Sequence, residues 1–298
     1  MSERAIDMVV QMIRDRSVAG DAMSIDERRI NMDKNAEVFA MPDGVEIEDV
    51  TIGAVPAAWH TQAGADTAAQ PVLLYFHGGG YVQGSPLSHQ HLTGKLALEA
   101  GCRVLSVHYR LAPENPFPAA LEDGLAAYRW LLDQGIVPSQ IAMGGDSAGA
   151  GLVVATMIAA RDADIAQPAS AILMSPWVDL TCDTPSYATR ADADPMITQS
   201  GIAEIAQMYH GPADPKEPLI SPVYGDLSGL APLCIQVGDA EVLLNDSTEL
   251  AERAQAAGVE VSIEVWDDMI HVWPAFYPIL PEGGQAIEKM SAFLKSKW

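Results

Sequence analysis

Positive charge is what this sequence has least of. Its 17 Lys and Arg face 40 Asp and Glu, which leaves a formal charge of −23 and an isoelectric point near 4.4. A chain so acidic repels phosphate backbones and anionic membrane surfaces, so neither nucleic acid nor a membrane is expected as a partner. The acidity suits solubility or a high-salt habitat and carries no information about the fold. Cysteine is scarcer still. Cys102, Cys182 and Cys234 are odd in number and widely spaced, form no CxxC pair and have no histidine at ligand spacing. Neither a disulfide framework nor a metal site is therefore expected. Free buried thiols in a reducing compartment are the plain reading, and the expected location is cytoplasmic.

Long apolar runs are missing too, so no membrane span is expected. The opening MSERAIDMVVQMIRDRS scatters acids and arginines through its apolar positions, unlike a signal peptide. Internal repeats and low-complexity tracts are absent. What remains is a chain of 298 residues, 49% of them hydrophobic, long enough for one large domain or a domain with a small cap.

Its apolar residues fall into short β-leaning runs: PVLLYF (71–76), CRVLSVHY (102–109), QIAMGG (140–145), SAILMS (170–175), LCIQVG (233–238) and EVSIEVW (260–266). Most read as strands buried on both faces, as parallel strands are. Helical periodicity lies between them, at 87–100, 119–134, 148–162, 245–257 and 282–297. Alternation of this kind predicts a doubly wound, mostly parallel α/β sheet of about eight strands. VEIEDVTIG and VPAAWHT, around Gly53, predict an antiparallel hairpin at its edge. Two helical stretches break the alternation. They carry Met8, Met12, Met23, Met32, Met41, Met196 and Met208, flexible side chains suited to an adaptable apolar pocket. Residues 1–42 and 183–218 are thus expected to form a helical cap over the carboxyl ends of the strands. Residues 43–182 and 219–298 would form the catalytic domain.

GGDSAGAG (144–151) sits where strand gives way to helix. Gly145-Asp146-Ser147-Ala148-Gly149 is a G-x-S-x-G pattern, which makes a sharp strand-to-helix turn and presents the serine at a helix N-terminus. A serine nucleophile requires an oxyanion hole and a base. His77-Gly78-Gly79-Gly80 follows the PVLLYF strand, and the amides of Gly78, Gly79 and Ala148 are the expected three-donor hole. The loop lacks the Lys-Ser/Thr ending of a P-loop and the spacing of GxGxxG, so phosphate binding is set aside. His77 reads as a backbone anchor for this loop. His271 lies in the loop after the last strand and is the expected base, while His60, His89, His91, His108 and His210 read as surface or core residues. For the acid, Asp239, Glu241 and Asp246 all lie within one loop, VGDAEVLLND. The order serine, acid, histidine is that of α/β-hydrolases.

From about residue 45 onward the chain closely resembles the bacterial hormone-sensitive-lipase-like esterases, a branch of the α/β-hydrolase fold. The likeness rests on HGGGYVQGS, YRLAPENPFPAALED (109–123), GDSAGAGL, SPW (175–177), VGDAEVLLND and MIHVW. Matching the family's G-x-x-D-P-L motif at Gly238 implies Glu241 as the acid, with Asp239 the lesser candidate and Asp246 supporting the loop. The resemblance also implies that Tyr109, Arg110, Glu114 and Asp123 brace the site floor, and that Asp146 hydrogen-bonds near the oxyanion loop. Its further implications are a serine carboxylesterase acting on short- to medium-chain acyl esters with no cofactor, and a homodimer joined through the EVSIEVW edge. Tyr81, Val82, Trp177 and Trp273 flank the motifs and are the expected substrate contacts. A lactone hydrolase or small-metabolite deacetylase is the alternative. A non-catalytic receptor is the more distant one, disfavoured because the histidine is kept.

Overall fold

The computed structural model describes residues 4–20 and 23–298; the rest of the expected N-terminal cap segment, residues 1–3 and 21–22, lies outside the described residues. The chain opens with three helices, α1 (Ala5–Gly20), α2 (Ile25–Asp33) and α3 (Asn35–Val38). Ser24 caps α2 through a reciprocal capping box with Glu27. A hairpin follows, β1 (Val45–Ile52) and β2 (Val55–Gln62), and then the alternation begins: β3 (Val72–Phe76), α4 (Gln90–Ala100), β4 (Arg103–Val107), α5 (Ala119–Asp133), β5 (Ile141–Asp146), α6 (Ala148–Asp162) and β6 (Ser170–Met174). After the inserted helices α7 (Ser186–Thr189) and α8 (Gln199–His210), it resumes with β7 (Leu233–Gly238), α9 (Leu244–Ala256), β8 (Val261–Trp266) and α10 (Pro281–Lys295).

The eight strands make one sheet in the order β1-β2-β4-β3-β5-β6-β7-β8. Only the β1–β2 and β2–β4 pairs are antiparallel, so the hairpin occupies the edge, as its alternating pattern requires. Every residue of β3, β5, β6 and β7 is buried. Alternate side chains of β3 divide between two cores. Val72, Leu74 and Phe76 join the cluster with Leu131 of α5 and Leu152 of α6, whereas Leu73 and Tyr75 join Leu96 of α4 and Met290 of α10. Helices on both faces account for the continuous apolar runs. β8 departs from that reading: it is the outer strand, and Val265 is 46% exposed.

Because β3 and β5–β8 run parallel, their carboxyl ends open on one side of the sheet, and the loops following them are brought together there. The helical segments that break the alternation reach the same side. Arg29 of α2 donates to the Val82 and Ala112 carbonyls at 2.8 and 2.9 Å. From α8, Ile205 lies against Gly80, and the Tyr209 ring stacks on Tyr81 at 3.8 Å. Ile6 and Val9 of α1 pack with Met269, Ile270 and Trp273. The methionines serve different neighbourhoods: Met41 packs against Gly94 of α4 and Met208 against the main core, while Met8 and Met196 stay exposed. Among the described residues no helix is long and apolar enough to cross a membrane. All three cysteines are free and buried.

Candidate active site

Ser147 occupies the single residue between β5 and α6, with φ 53° and ψ −123°. That backbone is costly for a side-chain-bearing residue, on the order of 1–3 kcal/mol. It is held because Ser147 donates its N–H to the Met174 carbonyl at 2.9 Å, and its own carbonyl accepts from Gly151 and Trp177. The glycine two places on is required by close approach: a Cβ on Gly149 would lie 2.0 Å from the Phe76 carbonyl oxygen. The turn therefore lifts the serine hydroxyl to the N-terminus of α6, where partial positive charge favours a developing anion.

Three residues past β7, Glu241 is fully buried. Its Oε2 lies 2.7 Å from His271 Nδ1. Oε1 accepts from the Gly238 amide at 2.7 Å and from Ser175 Oγ at 2.8 Å. Ser175 Oγ in turn accepts from the Val272 amide at 3.0 Å. Met174 and Ser175 are consecutive, so the stretch of backbone that receives the Ser147 N–H also carries the hydroxyl bracing both Glu241 and the loop of His271. Asp239 faces elsewhere, accepting the Asp268 amide at 2.7 Å. Ser175 was legible only as the first letter of SPW, and nothing local betrays its role. It has φ 46°, and Val272 has φ 51°.

The carboxylate facing Nδ1 makes that nitrogen the protonated one and leaves Nε2 with its lone pair. Burial opposes charging of His271, but the hydrogen bond and charge of Glu241 outweigh it and hold the imidazole above the ordinary histidine range. Ser147 Oγ and His271 Nε2 are not hydrogen-bonded to each other here, as is common before substrate draws such a pair together.

The glycine loop after β3 is anchored by His77, as its sequence suggests. Its Nδ1 bonds the Gly78 carbonyl at 2.8 Å, its ring stacks on Tyr109 at 4.3 Å, and its carbonyl accepts the Tyr109 hydroxyl at 2.7 Å. Burial, aided by nearby His89, pushes the His77 pKa down to about 3, so the ring is neutral. Gly78 requires a correction: its amide already donates to Asp146 Oδ1 at 3.0 Å and is turned away from any substrate oxygen. Among the described residues, the amides of Gly79, Gly80 and Ala148 have no such acceptor. Asp146 also accepts the Tyr75 hydroxyl at 2.6 Å and lies 3.3 Å from His89 Nε2.

The other expected residues separate. Tyr81 and Trp177 are buried together with Tyr209 beside the glycine loop, and Val82 is buried with its carbonyl bound by Arg29. Trp273 instead packs against Trp266 and α1, in the core behind the His271 loop. In the floor segment, Asp123 is buried and receives the Arg110 amide and guanidinium, but Arg110 is half-exposed and Glu114 pairs with Arg29 at 2.7 Å near the surface. Asp246 is buried and accepts the Val178 and Asp179 amides; burial raises its pKa well above the carboxylate range.

Comparison with known proteins gives the chain's family. A family model described as alpha/beta hydrolase fold matches residues 73–275. An acetyl-hydrolase of Streptomyces hygroscopicus is 46% identical over 275 residues, covering 91% of this chain and 90% of that protein. An esterase of Acinetobacter venetianus is 32% identical over 266 residues, covering 89% and 87%. The crystal structure of an esterase from the bacterial hormone-sensitive lipase family superposes with a TM-score of 0.95 at 46% identity, covering 100% of this chain and 99% of that one. The chain therefore belongs to the alpha/beta hydrolase fold family, in its bacterial hormone-sensitive-lipase-like branch, and is a serine carboxylesterase.

Proposed function

We propose that this carboxylesterase hydrolyses short-chain acyl esters by two-step acyl transfer, with Ser147 as nucleophile, His271 as base and Glu241 as the acid that orients it. The observation carrying this reading is the 2.7 Å bond between Glu241 and His271 Nδ1, which leaves Nε2 with the lone pair a base needs. Nε2 takes the Ser147 proton as Oγ attacks the ester carbonyl. The oxyanion then gathers on the amides of Gly79, Gly80 and Ala148, each worth roughly 3 kcal/mol in the transition state. His271 gives its proton to the leaving alcohol, then activates the water that releases the acid.

Two things support a small acyl group: the relative named an acetyl-hydrolase, and the Tyr81–Tyr209–Trp177 aromatic wall beside the glycine loop. The contacts of α2 and α8 with that loop support the assignment of residues 1–42 and 183–218 as a cap over a catalytic domain of 43–182 and 219–298. The free, buried thiols support a reducing, cytoplasmic setting.

The test is a kcat/KM series on p-nitrophenyl esters from acetyl to decanoyl, with lactones and N-acetylated amines alongside. Activity should be highest at the shortest chains, and Ser147→Ala should lower it on the order of 10⁴-fold or more. Preference for a lactone or an acetamide over every ester would replace the substrate assignment.

A further inference from the structure

The glycine loop rests on a second buried carboxylate–imidazole pair that the triad does not use. His89, at the start of α4, is buried, and both its ring nitrogens face acceptors. Nε2 lies 3.3 Å from Asp146 Oδ2. Nδ1 lies 3.3 Å from the Ser85 carbonyl and 2.8 Å from Ser88 Oγ. The Ser85 carbonyl can only accept, and with the Ser88 hydroxyl turned to that carbonyl at 2.9 Å its oxygen meets His89 as an acceptor as well. A neutral imidazole has one N–H and would leave a lone pair pointed at an acceptor; an imidazolium satisfies both sides.

The surroundings favour that charge. Burial opposes it, but the charge and hydrogen bond of Asp146 outweigh burial and raise His89 above the ordinary histidine range. Asp146 is correspondingly held below the carboxylate range against its own burial, chiefly by His89. The neighbouring histidines are neutral: burial brings His77 to about 3 and His91 to about 4. Burial and Asp146 push the Tyr75 hydroxyl far up. From the helical segment, Asp33 of α2 accepts the Ser85 hydroxyl and adds a second carboxylate on the same side.

We infer that His89 is a standing imidazolium counter-ion to Asp146 and the positioning residue of the oxyanion hole. Asp146 adjoins the nucleophile, where an unpaired carboxylate would oppose the negative charge developing on the substrate oxygen; the imidazolium cancels it. The same charge keeps Asp146 an acceptor, so it retains the Gly78 amide and leaves those of Gly79 and Gly80 unclaimed for a substrate oxygen. His89 touches no reacting atom. Its effect on rate rests on the esterase mechanism above, but its charge state does not.

The experiment has two arms. In ¹⁵N-histidine NMR of the wild type across a pH series, one histidine other than His271 should keep both ring nitrogens protonated to higher pH than an ordinary histidine does. Its signal should vanish in His89→Gln, which keeps an amide donor but no charge. In kinetics, His89→Gln should lower kcat roughly tenfold to a hundredfold, less than loss of an oxyanion donor outright, with KM nearly unchanged. The wild-type kcat should fall again at alkaline pH as His89 loses its proton, and His89→Gln should lack that limb. A His89 signal with one unprotonated ring nitrogen at neutral pH, or wild-type kcat in a folded His89→Gln, overturns the inference. If that variant fails to fold, through-bond assignment of the wild-type resonance decides alone. An esterase mechanism that failed would leave the NMR result standing, which separates the two.

Discussion

Among the described residues two buried carboxylate–imidazole pairs lie on the same side of the sheet, and they do opposite things. Glu241 holds His271 through Nδ1 alone, so the second nitrogen keeps a lone pair for chemistry. Asp146 holds His89 through Nε2 while serine oxygens take the other nitrogen, so that imidazole has no lone pair to offer. Both pairs raise the histidine above its ordinary range. What separates a base from a counter-ion is thus the group across the ring from the carboxylate, and the pairing by itself identifies neither.

Breaking the first pair should give the largest effect. Glu241→Gln is expected to lower kcat on p-nitrophenyl acetate by about 10³–10⁴-fold, because the amide no longer enforces the tautomer. Asp239→Asn should stay within about threefold, since its carboxylate serves a surface turn. The reverse outcome would move the acid to Asp239.

Next is the bracket behind the first pair. Ser175→Ala leaves Glu241 Oε1 and the Val272 amide each short of a partner in a buried setting. A cost of about 1–3 kcal/mol follows, seen as a lower melting temperature and a kcat loss on the order of tenfold. An unchanged pH–rate profile together with unchanged kcat would show the bracket to be dispensable.

The pH dependence sharpens the comparison further. As the proposed base, His271 must be without its proton, so the acid limb of kcat/KM should have its midpoint above the ordinary value of about 6.5. Stability runs the other way. A histidine raised by folding stabilises the native state below its unfolded pKa, and that contribution is lost as pH rises through the raised value. The enzyme should therefore gain activity through the same interval in which it sheds stability, measurable as rate and melting temperature on one pH series. The smallest effect is expected from Asp33→Asn, which removes the distant carboxylate on the His89 side. It should reduce kcat about twofold to threefold and move the alkaline limb to lower pH.

The strands, the flanking helices and the edge hairpin were legible because burial on one or two faces writes a period into the sequence. Ser147 and His271 were legible because each stands at a strand end in a fixed chain order. The choice of Glu241 over Asp239 was open from the residues alone, since both lie in one short loop and only its path shows which carboxylate turns inward. Gly78 was misassigned for a related reason: three adjacent glycine amides look alike until Asp146 claims one. Trp273 resembled a substrate contact by adjacency to His271, yet side chains of neighbouring loop residues point to different places, and its ring is in the core. His89 left no local pattern at all, because its partners come from β5, the loop before α4 and, through Ser85, α2.

Four side-chain-bearing residues in left-handed backbone, Tyr81, Ser147, Ser175 and Val272, lie around this one site. For an engineer they mark forbidden ground. Replacing Tyr81, Ser147 or Ser175 with glycine relaxes the backbone and looks attractive for heat tolerance, yet each removes a side chain that the proposed mechanism uses or leans on. Gains in durability for this enzyme belong on the outer strands and the solvent faces of the helices, away from the loops where its backbone is bent.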